Sequence, residues 1–107
     1  MLRSHKWEGY SQGERTVTIE NIKSAIQVND GCIMNFNIFS DLAITLSIEI
    51  PSNRLKSLLE SLSKILTVSV KTPIEESISA KEQMVSFNVS FSAGTGNMRN
   101  EIPDVPG

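Results

Sequence analysis

The chain has 107 residues, with ten Lys and Arg against twelve Asp and Glu and a single cysteine, Cys32. That length holds one domain, large enough to bury roughly two thirds of the surface of its unfolded chain without metals or cross-links. One cysteine excludes an internal disulfide, no cluster of Lys or Arg offers the footprint that phosphate backbones require, and no apolar run approaches the roughly 20 residues of a membrane span. The composition therefore points to a cytoplasmic protein with no nucleic-acid and no membrane partner, and the stretch holding Arg3, His5, Lys6, Trp7 and Glu8 lacks the apolar centre of a signal peptide.

Residues 1–13 are polar, and Gly9, Ser11 and Gly13 interrupt any periodicity, so this segment reads as an N-terminal tail or a loosely paired edge strand. It nevertheless carries the only Trp and the only Tyr. Two roles are open for Trp7 and Tyr10: packing on their own domain, or anchoring a protein partner with their large apolar area. Thr16-Val17-Thr18 is β-prone and fits the end of a short first strand, while Thr18 also suits a helix cap. Beyond it Ile19, Ile22, Ala25 and Ile26 keep helical spacing until Asn29-Asp30-Gly31, which predicts a first helix over residues 19–28.

The clearest signal follows. Leu42, Ile44, Leu46, Ile48 and Ile50 alternate without a break with Ala43, Thr45, Ser47 and Glu49. Successive strand side chains point to opposite faces, so one face must meet a core and the other must be short and polar. The preceding strand, residues 33–39, puts Met34, Phe36 and Ile38 on one face and Asn35 and Asn37, among Ile33 and Phe39, on the other; Ser40-Asp41 suits the turn between the two strands. Pro51 ends the ladder because it has no amide hydrogen, and Ser52 or Asn53 offers a cap for a helix striped with Leu55, Leu58, Leu59, Leu62 and Leu66. Burial of this stripe on the strands is the expected driving force for folding, and Leu59→Asp is expected to unfold the domain.

Residues 67–70 form a short β-prone run, and the polar stretch with Pro73, Glu75, Glu76, Lys81 and Glu82 reads as a surface loop. Val85, Phe87, Val89 and Phe91 then alternate with Ser86, Asn88 and Ser90, which predicts a last strand in the same sheet as residues 42–50. From Gly94 onward few large apolar residues remain, so residues 93–107 are expected to be a flexible C-terminal tail.

The predicted order is strand, helix, strand, strand, helix, strand and one further strand. In this order, and in the hairpin that leads through Pro51-Ser52-Asn53-Arg54-Leu55 into a leucine-striped helix, the chain resembles ACT-type regulatory domains over residues 14–92. The resemblance implies an α+β, ferredoxin-like two-layer sandwich, βαββαβ plus an extra C-terminal strand, with both helices on one face of an antiparallel sheet. It also implies sheet-mediated pairing and a small metabolite at the loop after the first strand. Residues 15–18, read as that segment, carry no glycine immediately before the helix.

Catalytic chemistry finds little purchase. Cys32 and the only histidine, His5, are linked by no nucleophile motif, and Asp30, Asp41, Glu75, Glu76 and Asp104 lack metal-ligand spacing. Glu49 is a single carboxylate without a partner to divide acid and base roles. Gly94-Thr95-Gly96-Asn97 follows a strand but lacks a phosphate-loop ending, Asn88-Val89-Ser90 matches a glycosylation sequon inside a strand, and Pro103-Asp104-Val105-Pro106 is a generic PxxP segment. No catalytic residue, metal or cofactor is assigned.

The informative feature is the face opposite the leucines: Asn35, Asn37, Thr45, Ser47, Glu49, Ser86, Asn88 and Ser90. Short hydroxyls and amides lose little rotamer entropy on burial and bond reciprocally across a wet contact. These residues form the candidate interface of a homodimer, with a small polar metabolite as a further partner. The expected function is that of a non-catalytic, ACT-like domain that self-associates through its sheet in a regulatory or sensing role. The alternatives are a stand-alone protein-interaction adaptor, and a small enzyme whose site is composed across two subunits from groups such as Glu49 or Cys32.

Overall fold

The structure, a computed structural model, describes residues 4–71, 74 and 78–92. The expected tail at 93–107, and Pro73, Glu75 and Glu76 of the expected loop, lie outside the described residues. The elements are β1 (Ser4–Ser11), α1 (Arg15–Val28), β2 (Cys32–Ser40), β3 (Ala43–Pro51), a 3-10 turn (Ser52–Arg54), α2 (Leu55–Ser63), β4 (Thr67–Val70) and β5 (Glu82–Phe91). Their order is the one expected, and the fold is α+β, with one five-stranded sheet and two helices.

The strand order, β2-β3-β5-β1-β4, departs from a simple ferredoxin-like sandwich. The extra strand does not extend an edge. It lies in the middle, antiparallel to β3 and parallel to β1, so the sheet is mixed and not antiparallel as expected. Residues 4–11 are a second difference: read as tail or edge, they form a strand between β5 and β4, and Trp7 is 1% exposed in the core. The helix-facing positions of β1 after Trp7 are Gly9 and Ser11, which are buried because they are small, so no apolar alternation marks the strand. A Cβ on Gly9 would come within 2.9 Å of both Leu66 and the Phe87 ring.

Helix α1 begins four residues before the predicted start, because Glu14 and not Thr18 is the cap. The Glu14 carboxylate accepts the amide hydrogens of Thr16 at 2.8 Å and Val17 at 3.1 Å, which draws the β-branched run 16–18 into the first turn. Thr18 is buried and its hydroxyl bonds that of Ser11. At the other end Asp30 adopts φ 64°, with Gly31 donating to the Ile26 carbonyl and Asp30 to that of Gln27, the pairing that closes a helix through a left-handed residue. Buried Asn29 donates its side-chain amide to the Ala25 carbonyl and to the Ser61 hydroxyl of α2, tying the two helices together.

Helix α2 has no side-chain cap: Ser52 instead donates its hydroxyl to the Lys81 carbonyl and accepts from Gln83. Both helices contribute to one core with the sheet, including Ile22, Ile26, Leu58, Leu62, Leu46, Ile48 and Phe87, all nearly inaccessible. Leu59 borders this core and Leu58 and Leu62 occupy its centre. The β2–β3 hairpin is less covered than its pattern suggests. Met34, Ile38, Phe39 and Leu42 are exposed, and β2 meets the core through Ile33 and Phe36.

Candidate functional site

Cross-strand register partners point to the same side of a sheet, so the pairing fixes which residues share the face away from the helices. Asn35 pairs with Ser47 and Asn37 with Thr45; Thr45 and Ser47 pair in turn with Asn88 and Ser86, and Ala43 with Ser90. Glu49 stands opposite Cys32 on one side and Met84 on the other. All the candidate interface residues, Asn35, Asn37, Thr45, Ser47, Glu49, Ser86, Asn88 and Ser90, thus lie on one face. Asn35, Asn37, Asn88 and Ser90 are exposed and the other members half-buried against their neighbours.

β1 and β4 extend this face with residues that the pattern alone missed. Lys6, Glu8 and Tyr10 stand beside Ser86, Asn88 and Ser90, and Thr67 and Ser69 lie beyond Tyr10 and Glu8. The available signal was the alternation of Lys6, Glu8 and Tyr10 with Trp7, Gly9 and Ser11, masked because two of the inward residues are not hydrophobic. Across the seam of β3 and β5, the Thr45 hydroxyl donates to the Asn88 side-chain carbonyl at 2.7 Å. A neutral hydroxyl-amide pair of this kind leaves further donor and acceptor capacity on both groups. A recess of about 340 Å³, lined by Glu8, Gly9, Tyr10, Thr67, Ser69, Asn88 and Ser90, opens on the same face.

The other residues with chemical potential are dispersed. His5 lies on the helix side of β1, two residues from Trp7, where its Nε2 bonds the Gln83 side-chain oxygen, whereas exposed Cys32 lies on the polar side opposite Glu49. Sheet and register separate this histidine from this thiol. Among the described residues no three His, Cys, Asp or Glu side chains come together as a metal site, and no described helix is long and apolar enough to cross a membrane. Trp7, a candidate partner anchor, is instead spent on the core, while Tyr10 is 44% exposed.

The loop between β1 and α1 is Gln12-Gly13-Glu14, so a glycine does stand just before the helix, contrary to the reading that began the loop at residue 15. The amides of the first helical turn are already engaged by Glu14, whose carboxyl is held below its ordinary range by the bonds from Thr16 and then Val17. A ligand carboxylate at this helix end would have to displace the chain's own. Gly94 to Gly96 and the PxxP segment lie outside the described residues. No family model matches the chain, and neither a curated protein nor a solved structure is detectably similar to it.

Proposed function

We propose that the chain is a non-catalytic association domain that self-associates through the open face of its sheet, as its ACT-like, ferredoxin-like element order implies. The observation that supports this most is the composition of that face: Asn35, Asn37, Thr45, Ser47, Ser86, Asn88 and Ser90 are short, neutral and mutually adjacent. Neutral groups bring no like-charge repulsion to a two-fold contact, and short ones are ordered at little entropic cost. Light scattering of the full chain should give at least the mass of a dimer, and Ser47→Arg with Ser86→Arg should lower that mass with unchanged circular dichroism. A wild-type chain that stays monomeric at every concentration would end this reading.

A second reading, a small polar metabolite held on the same face, is favoured by the recess between β1, β4 and β5, whose volume suits a small ligand and whose lining pairs one carboxylate, Glu8, with the Tyr10, Asn88 and Ser90 side chains. Coupling between such a ligand and dimerisation would make the domain a sensor. A thermal-shift screen against amino acids tests it: a stabilising hit should lose its effect in Glu8→Ala, and a hit whose effect survives that substitution binds elsewhere.

A further inference from the structure

β2 is one edge of the sheet, nine residues long and without a single charged side chain, and it leaves Met34, Ile38 and Phe39 exposed at 55%, 61% and 71%. Edge strands of lone domains are ordinarily shortened or guarded by charge, because their unpaired amides and carbonyls are a template for another strand. The opposite edge, β4, has only four residues. β2 has a further property. Its central run Ile33-Met34-Asn35-Phe36-Asn37-Ile38-Phe39 reads apolar, apolar, Asn, Phe, Asn, apolar, apolar, a palindrome of residue type about Phe36.

A two-fold antiparallel strand pair sets residue i of one copy opposite the residue equally far beyond the axis in the other, so this palindrome matches apolar with apolar and Asn with Asn across the joint. We propose that the β2 edge pairs antiparallel with the β2 edge of a second copy, centred on Phe36, to make one continuous sheet. Asn35 then faces the other copy's Asn37 on the polar side, where two amides donate and accept reciprocally, and Phe36 faces its own equivalent. Met34 meets Ile38, covering apolar surface that the fold leaves open. The register also follows from the irregularities of β2: Met34 and Phe39 are the extra residues at its two departures from the β3 register, so the regular run between them is Asn35 to Ile38, close to the proposed axis. Lys23 of α1 places its Nζ over the Phe36 ring, 5.4 Å from the ring centre.

This contact is distinct from the one through the polar face. Its axis runs perpendicular to the sheet, so both polar faces end on the same side as one wider surface. The test uses paired substitutions at exposed apolar positions of the edge, Met34 and Ile38. Met34→Lys with Ile38→Lys sets like charges opposite each other at the joint and should halve the mass measured by sedimentation. Met34→Glu with Ile38→Lys sets opposite charges there and should keep it. Ser86→Arg, on β5 in the polar face, should leave the edge contact intact while breaking association through that face. A Met34→Lys, Ile38→Lys chain that is folded by circular dichroism and keeps the wild-type mass would overturn the proposal, as would equal loss in both double variants.

Discussion

Trp7 and Phe87 meet edge to face across neighbouring parallel strands, with ring centres 6.4 Å apart and planes at 81°. The contact joins β1 to the strand that fills the centre of the sheet, and both rings are essentially inaccessible. Truncating Phe87 removes a buried ring and this aromatic pairing, so Phe87→Ala should cost about 3–5 kcal/mol in urea unfolding. The single Trp reports on it directly: native fluorescence should be blue-shifted and should move red with the same midpoint as the loss of circular dichroism. An exposed emission maximum in the native chain would contradict the placement of Trp7.

Gly9 is required by close approach. A methyl group there meets Leu66 and Phe87 at 2.9 Å, and neither neighbour is a flexible chain end in open solvent. Gly9→Ala should destabilise by about 1–3 kcal/mol despite the better strand propensity of alanine. A denaturation midpoint unchanged from wild type would show that β1 shifts freely beneath the helix.

The leucine stripe supplies a graded pair. Leu58 is fully buried and Leu59 half-buried at the margin of the core. Leu58→Asp should abolish cooperative thermal melting, because an unpaired carboxylate cannot be solvated there. Leu59→Asp should lower the melting temperature and leave a cooperative transition. Reversed outcomes would mean that α2 is rotated from the orientation described.

The cap of α1 carries a pH dependence of definite sign. Hydrogen bonds from the Thr16 and Val17 amides hold the Glu14 carboxyl below its ordinary value of 4.5 in the folded chain. A depressed folded pKa adds stability above the unfolded value, and that stability is lost as pH falls through the folded one. The stability difference between wild type and Glu14→Gln should therefore be constant near neutrality and shrink on acidification below pH 4.5. A difference that stays flat down to about pH 3 would show that the carboxylate charge does not matter to the cap.

Much of this architecture was legible in the order of residues. The alternation of Ile44, Leu46, Ile48 and Ile50 and of Val85, Phe87, Val89 and Phe91 identified two strands of one sheet, and the same period placed Thr45, Ser47, Ser86 and Asn88 together on the reverse side. The Asn29-Asp30-Gly31 stop was equally readable from its chemistry. What escaped was whatever did not rest on hydrophobic period. β1 is buried through Gly9 and Ser11 as well as Trp7, and the first turn of α1 holds β-branched residues that the carboxylate of the preceding Glu14 draws into the helix. Leu42 and Ile38 follow the apolar pattern yet remain exposed at the hairpin. Strand order escaped for another reason: alternation says which face a side chain takes and nothing about which strand lies alongside.

The central position of β5 has a consequence for how the chain is made. Within the sheet, the hairpin of β2 and β3 and the pair of β1 and β4 are hydrogen-bonded together only through this strand among the described residues. During synthesis the two halves would emerge from the ribosome as separate pieces, each exposing a ladder of unsatisfied amides until residues 82–91 arrive to stitch them together. The nascent chain should then acquire protease resistance in a single late step, and a product ending before Glu82 should be a ready target for quality control.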